Sequence, residues 1–136
     1  MFTTTSSAAA VQAVMTLPFI LFGLSHIVQP NLWREFFGYL HGLGATGVVI
    51  RTFALELVPA TVIVTFHQVW SGVPVALTIY GWLLMIKITL SMLVPSIGLR
   101  SLGMSDTADG RGFVVGGIVL LGLGGVCIWG LHTTTV

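Results

Sequence analysis

Four runs of this chain, approximately Ala8–Gln29, Ala45–Val69, Val73–Ile97 and Arg111–His132, are each long and apolar enough to cross a bilayer as a helix. The hydrocarbon core is about 30 Å thick and takes about 20 residues of α-helix to span. Backbone polar groups find no water there, so only helices and closed barrels cross it. The runs are continuously apolar and lack the period-two alternation of barrel strands, which leaves helices. The predicted fold is therefore all-α: a single domain over residues 1–136, built as an integral membrane bundle of four transmembrane helices. Only 7% of the 136 residues are charged, against about 25% in soluble domains. The net charge of +1 gives no reason to expect a nucleic-acid partner. The start of the chain, MFTTTSSAAAVQAV, lacks the basic segment of a signal peptide, so the first helix is expected to be retained.

The connections set an orientation. Arg34, Arg100 and Arg111, with Arg51 close by, fall on the side of the first and third loops, whereas the other side carries no Lys or Arg. The positive-inside rule places those loops in the cytoplasm of a bacterial inner membrane and both termini outside, in the periplasm. In the first loop, Leu32, Trp33, Phe36, Phe37 and Leu40 recur at helical spacing opposite Arg34, Glu35, Gly38 and His41. A short amphipathic interfacial helix over about 32–41 follows, serving as a membrane anchor or as a docking surface for a partner. Trp70 and Trp129 mark the outer boundary and Trp33 the inner one.

The fourth run, GFVVGGIVLLGLGGVCIWG, holds seven glycines in nineteen residues. Gly112 and Gly116 form a GxxxG step, and Gly117 and Gly124 lie one heptad apart. Such residues allow close backbone approach in lipid, so this helix is expected to pack on more than one neighbour, including another subunit or a second copy. The single cysteine, Cys127, excludes an internal disulfide and reads as a small packing residue. LSHIVQP at 24–30 and LSMLVP at 90–95 echo each other, as two duplicated helical hairpins would.

The polar residues inside the runs carry what chemistry there is. A charge in the bilayer interior costs a few kcal/mol unless it is offset. Glu56 lies about 16 Å from the cytoplasmic end of its helix and Lys87 about 15 Å from the same end of the next one. A tight turn joins these helices, so the two side chains are expected to meet. Thr52, Glu56, Ile63 and His67 fall on one stripe of the second helix, and Tyr80, Lys87 and Ser91 on one stripe of the third. Pro59 cannot donate to the Leu55 carbonyl, which would leave an acceptor beside the carboxylate. On an ideal helix Arg51 is rotated about 140° from Glu56, and it is expected to reach out to lipid phosphates instead. The Glu56–Lys87 pair reads either as a plain interhelical ion pair that fixes register or as a proton-carrying or ligand-orienting site. His67 and His132 both reach the outer boundary and could in principle meet, as a bis-histidine haem or a metal would need. Nothing else calls for either, so hydrogen bonds to headgroups are the plainer account, and neither metal nor haem is expected. His26 lies within about 5 Å of the end of the first helix, just before Pro30.

Gly23-Leu-Ser-His-Ile-Val-Gln-Pro30, followed by a second helix with Glu56 in FALELVP, resembles the DoxX-like superfamily of small four-helix bacterial membrane proteins. The match carries to Gly23, His26, Pro30 and Glu56 and covers about the first half of the chain. The resemblance implies a membrane subunit near quinone-linked redox chemistry, with the chemistry itself supplied by a partner.

Three functions remain in view. The first is a small subunit or scaffold of a larger membrane complex, with a quinone or lipid as the candidate ligand of its polar core and no cofactor of its own. The second is a homo-oligomeric transporter or binder of a small molecule, ion or proton, lined by Glu56, Lys87, Tyr80 and His67. A free-standing enzyme ranks last, because no nucleophile–base pair or metal set falls at one depth.

Overall fold

The computed structural model describes residues 4–107 and 110–134. Every regular element among them is helical: α1 Thr4–Val28, α2 Pro30–Gly42, α3 Ala45–Arg51, a π-helical turn Thr52–Glu56, α4 Leu57–Phe66, α5 Val75–Leu93, α6 Pro95–Thr107 and α7 Arg111–Thr134. Four stretches are long and apolar enough to cross a membrane: Ser6–Val28, Ala45–Phe66, Val75–Leu93 and Arg111–Thr133. The protein is thus a multi-pass membrane bundle. Leu17, Leu83, Leu93 and Met104 turn outward, while Arg51, Thr52, Glu56 and Ser91 are buried. This is the polarity of a chain whose solvent is lipid.

Prolines decide where the membrane helices stop. Gln29 and Val94 each precede a proline, and both leave the helical region in nearly the same way, at φ −129°, ψ 57° and φ −129°, ψ 84°. A residue before proline is pushed out of the α conformation by the pyrrolidine ring, which then opens the next helix. The third span therefore ends at Leu93 and not at Ile97, and the segment after it is a helix, α6, where only a loop was foreseen. The second span likewise stops at Phe66, short of Val69.

The two halves share one plan. Each has a membrane helix, a proline, a thirteen-residue helix, a glycine with positive φ, and a second membrane helix. Gly44 (φ 62°) and Gly110 (φ 73°) occupy equivalent corners, which favour glycine because they lie in the left-handed region. The Gly44 carbonyl accepts from Gly47 and Val48, and the Gly110 carbonyl accepts from Phe113 and Val114. Exchanging the halves maps the α1–α7 packing onto α5–α4 and the α2–α7 packing onto α6–α3. The repeated LSxxV…P segments sit at the two proline stops, where duplication would put them.

Helices α2 and α6 pack on each other across the end of the bundle that carries Arg34, Arg100 and Arg111. Between them lies a small apolar core of Leu40, Val48 and Leu102, with Phe36 and Phe37 against it. α2 is thus an amphipathic helix, as its pattern predicts; Leu40 and part of Phe36 and Phe37 are covered by this same chain, while Leu32 stays exposed. The backbones close tightly there: a Cβ at Gly47 would lie 1.7 Å from the Leu40 carbonyl oxygen.

On α7 the glycines divide into two sets. A Cβ at Gly117 would lie 2.6 Å from the Gly23 carbonyl oxygen of α1, and one at Gly124 would lie 3.0 Å from Ile20. Gly116, Gly122 and Gly125 have nothing within 4 Å of a built Cβ, and Gly112 is exposed. Gly116→Ala should therefore raise stability by up to about 1 kcal/mol through helix propensity. Gly117→Ala should lower it by about 1–3 kcal/mol through overpacking. Thermal unfolding of the two purified variants in mild detergent checks this opposition of sign.

Candidate functional site

The second membrane span is not a continuous α-helix. The Leu57 N–H donates to the Thr52 carbonyl, an i→i+5 bond that closes a π turn over Thr52–Glu56. Pro59 lies just beyond it, and its ring cannot tolerate a tightly wound carbonyl four residues earlier. A widened turn relieves that crowding, and π turns of this kind gather at functional sites. Its consequence is a change of face: residues five apart, which diverge on an α-helix, come nearly into line.

That change overturns the expectation for Arg51. Arg51 does not extend to lipid phosphates; it is 1% exposed, with Nε 3.3 Å from Glu56 Oε1. Its Nη1 donates to Ser101 Oγ at 3.3 Å and its Nη2 to Ser91 Oγ at 3.4 Å. From α5, Lys87 Nζ donates to the same Glu56 Oε1 at 2.5 Å. The predicted Glu56–Lys87 pair is present, but as two cations on one carboxylate. Glu56 Oε2 and the Thr52 hydroxyl are buried with no hydrogen-bond partner. The guanidinium ties α3 to α5 and α6, and Ser101 was missed because its helix was read as a loop.

Glu56 and Lys87 stand in one wall of a cleft of about 590 Å³, with Arg51 buried behind them. Its remaining walls are apolar: Met15, Pro18, Phe19 and Phe22 from α1, Leu83 and Leu84 from α5, and Val58 and Pro59 from α4. The volume lies within the range of about 300–1,000 Å³ usual for small-molecule sites, which are likewise mostly apolar with a few placed polar groups. Leu83 is 62% exposed and Val58 63% exposed, so the cleft is open on the side that faces lipid. Two helix-interior prolines, Pro18 and Pro59, line it from opposite walls.

Toward the basic end of the cleft, His26 stacks on Trp33 with ring centroids 4.1 Å apart and planes 20° apart. His26 Nδ1 donates to the Phe22 carbonyl at 2.7 Å, which leaves Nε2 as an acceptor in the neutral ring. Trp33 Nε1 donates to Ser25 Oγ at 2.9 Å, so this tryptophan is fixed in the wall of the cleft. Phe37 joins it there and also packs, with Phe36, on the α2–α6 core. Tyr80 lies further along α5, edge-on to Phe19 at 5.6 Å. Glu56, Lys87, His26 and Tyr80 all line the cleft, with Thr52 and Ser91 buried behind.

His67 belongs to a separate structure. Fully buried, its Nδ1 lies 3.0 Å from Thr78 Oγ1 and its Nε2 3.0 Å from Gln12 Nε2. Thr78 donates to the Val69 carbonyl at 2.7 Å and so accepts from Nδ1, leaving Nε2 to accept from the Gln12 amide. Both ring nitrogens are occupied, which leaves none for a metal shared with His132. Among the described residues no group of three or more His, Cys, Asp or Glu could hold a metal ion.

The unequal charge count makes an asymmetric prediction. Glu56→Ala leaves the buried Arg51 and the half-exposed Lys87 without their carboxylate and should cost about 3–5 kcal/mol or prevent accumulation. Lys87→Met leaves the Arg51–Glu56 pair balanced and should fold. Pairing Glu56→Met with Lys87→Met should not restore stability, because Arg51 stays buried and unpaired; thermal melts of the three variants give the test.

No protein-family model, curated protein or solved structure matches the chain.

Proposed function

We propose that this chain is a membrane-embedded binder whose cleft holds one amphipathic molecule of the lipid or quinone class, taken up sideways from the bilayer. The observation that carries this reading is the cleft itself: about 590 Å³, open toward lipid, mostly apolar, with Glu56 and Lys87 in its wall and Arg51 paired to Glu56 behind it. An ion pair that served only to fix register would have no need of a cavity beside it. The likeness to DoxX-like proteins forms part of the proposal, because His26 and Glu56, two of the residues that carry it, both line the cleft. On this reading the basic end faces the cytoplasm of a bacterial inner membrane and the termini face the periplasm, following the positive-inside rule.

A second reading, that the chain is the accessory subunit of a larger complex, is favoured by the outward glycines of α7. Gly116, Gly122 and Gly125 leave a bare helix surface that a partner's helix could approach closely, whether from a different subunit or from another copy. Binding and assembly are compatible, and any redox step would then be the partner's.

Purification in mild detergent followed by native mass spectrometry tests the binding role. The wild type should carry one lipid or quinone per chain, and Leu83→Trp, which fills the cleft from its open side, should lose it. A wild-type chain with no bound small molecule, or retention unaffected by Leu83→Trp, would overturn the proposal.

A further inference from the structure

The ionic cluster at the cleft wall, two cations on one carboxylate, carries a net positive charge, with Glu56 and Lys87 lining the cleft and Arg51 buried behind them. Arg51 and Lys87 converge on one oxygen of Glu56, and Glu56 is the only acidic residue among the described residues that line the cleft. The two cations differ in what they have left to offer. Arg51 is 1% exposed and directs its Nη groups to Ser91 and Ser101. The Lys87 side chain remains 42% exposed and makes its one hydrogen bond to Glu56. Its remaining N–H donors are free for a ligand. An excess cation in apolar surroundings is costly, and a bound anion would offset that cost.

The shape of the cleft supplies the rest of the ligand. Lys87 is six residues, or about 9 Å, from the basic-side end of α5, and Tyr80 lies two turns, or about 10 Å, deeper. From Lys87 inward the lining is Phe19, Leu83, Leu84, Met15 and Tyr80, which offer an alkyl chain apolar contact with the tyrosine hydroxyl as the one polar group among them. From Lys87 outward it is His26 and Trp33. Polar groups toward the surface and apolar ones toward the midplane match a lipid standing in the basic-side leaflet.

We infer that the cleft selects a single-chain amphipathic anion, with a carboxylate or phosphate head on Lys87 and a tail between α1 and α5 that points to the bilayer midplane. The inference rests on the binding role proposed above and adds a requirement for negative charge that a neutral quinone does not meet. The two heads present the same chemistry, anionic oxygens accepting from an ammonium, and such charge-assisted hydrogen bonds are stronger than neutral ones.

The test uses the full chain in dodecyl maltoside, with binding of dodecanoate, dodecyl phosphate and 1-dodecanol read by native mass spectrometry. At least one of the two anions should bind 1:1 and about tenfold or more tighter than the alcohol. Lys87→Met should remove that advantage and Lys87→Arg should keep most of it. Comparison of the two anions identifies the head: preference for dodecanoate assigns a fatty acid, and preference for dodecyl phosphate assigns a phosphate-headed lipid. If the alcohol binds as tightly as both anions, or Lys87→Met leaves the anions' advantage intact, the charge requirement is wrong while the binding role stands. If none of the three binds and the wild type retains no lipid or quinone, the binding role itself falls.

Discussion

One carboxylate oxygen organises this protein. Glu56 Oε1 receives Lys87 from α5 and Arg51 from one turn earlier in its own span, and Arg51 reaches on to Ser91 and Ser101. Four segments, α3, the π turn, α5 and α6, are thereby held at one level inside an otherwise apolar bundle. Hydrophobic burial cannot do this, because lipid is as apolar as the helix surfaces and gives little preference for one register over another. A shared charge does, because any slip of these helices would separate ions that have no water to turn to.

The arrangement depends on a local departure from ideal geometry. On a straight α-helix Arg51 and Glu56 point apart; with one π turn between them they act together. Pro59 is the sequence feature nearest the cause, and it was legible as a disturbance but not as a change of face, since a proline can equally kink a helix or end it. Glu56 meeting Lys87 was legible because it needed only depth and a tight turn between neighbours. The second cation was not, because its position depends on how many residues the turn contains. The stacking of His26 on Trp33 was hidden for a related reason: it requires α2 to fold back under α1, and spacing within α2 is silent on that.

The same contrast runs through the fold. Four spans could be read from length and apolarity, and the amphipathic helix after the first from its pattern. Its counterpart α6 was missed, although Pro95 and Gly110 repeat the punctuation of Pro30 and Gly44, because its apolar residues are sparser and its pattern weaker. The short LSxxV…P echo proved the better guide, because it marks equivalent corners of two similar halves. Those halves do not carry equivalent chemistry. The π turn, the carboxylate and Arg51 belong to the first half, whereas Lys87, Ser91 and Ser101 belong to the second, so the cluster closes only when the two are packed together.

The most direct test of this account is a solid-state NMR measurement on the protein in lipid bilayers: the dipolar coupling between ¹⁵Nε of Arg51 and ¹³Cδ of Glu56. A clear coupling is expected, as the 3.3 Å contact between Arg51 Nε and Glu56 Oε1 requires. Loss of that coupling, with the Lys87–Glu56 coupling intact, would mean that the span is a regular helix with Arg51 turned to the headgroups. The shared carboxylate, and the excess charge argued from it, would then be wrong.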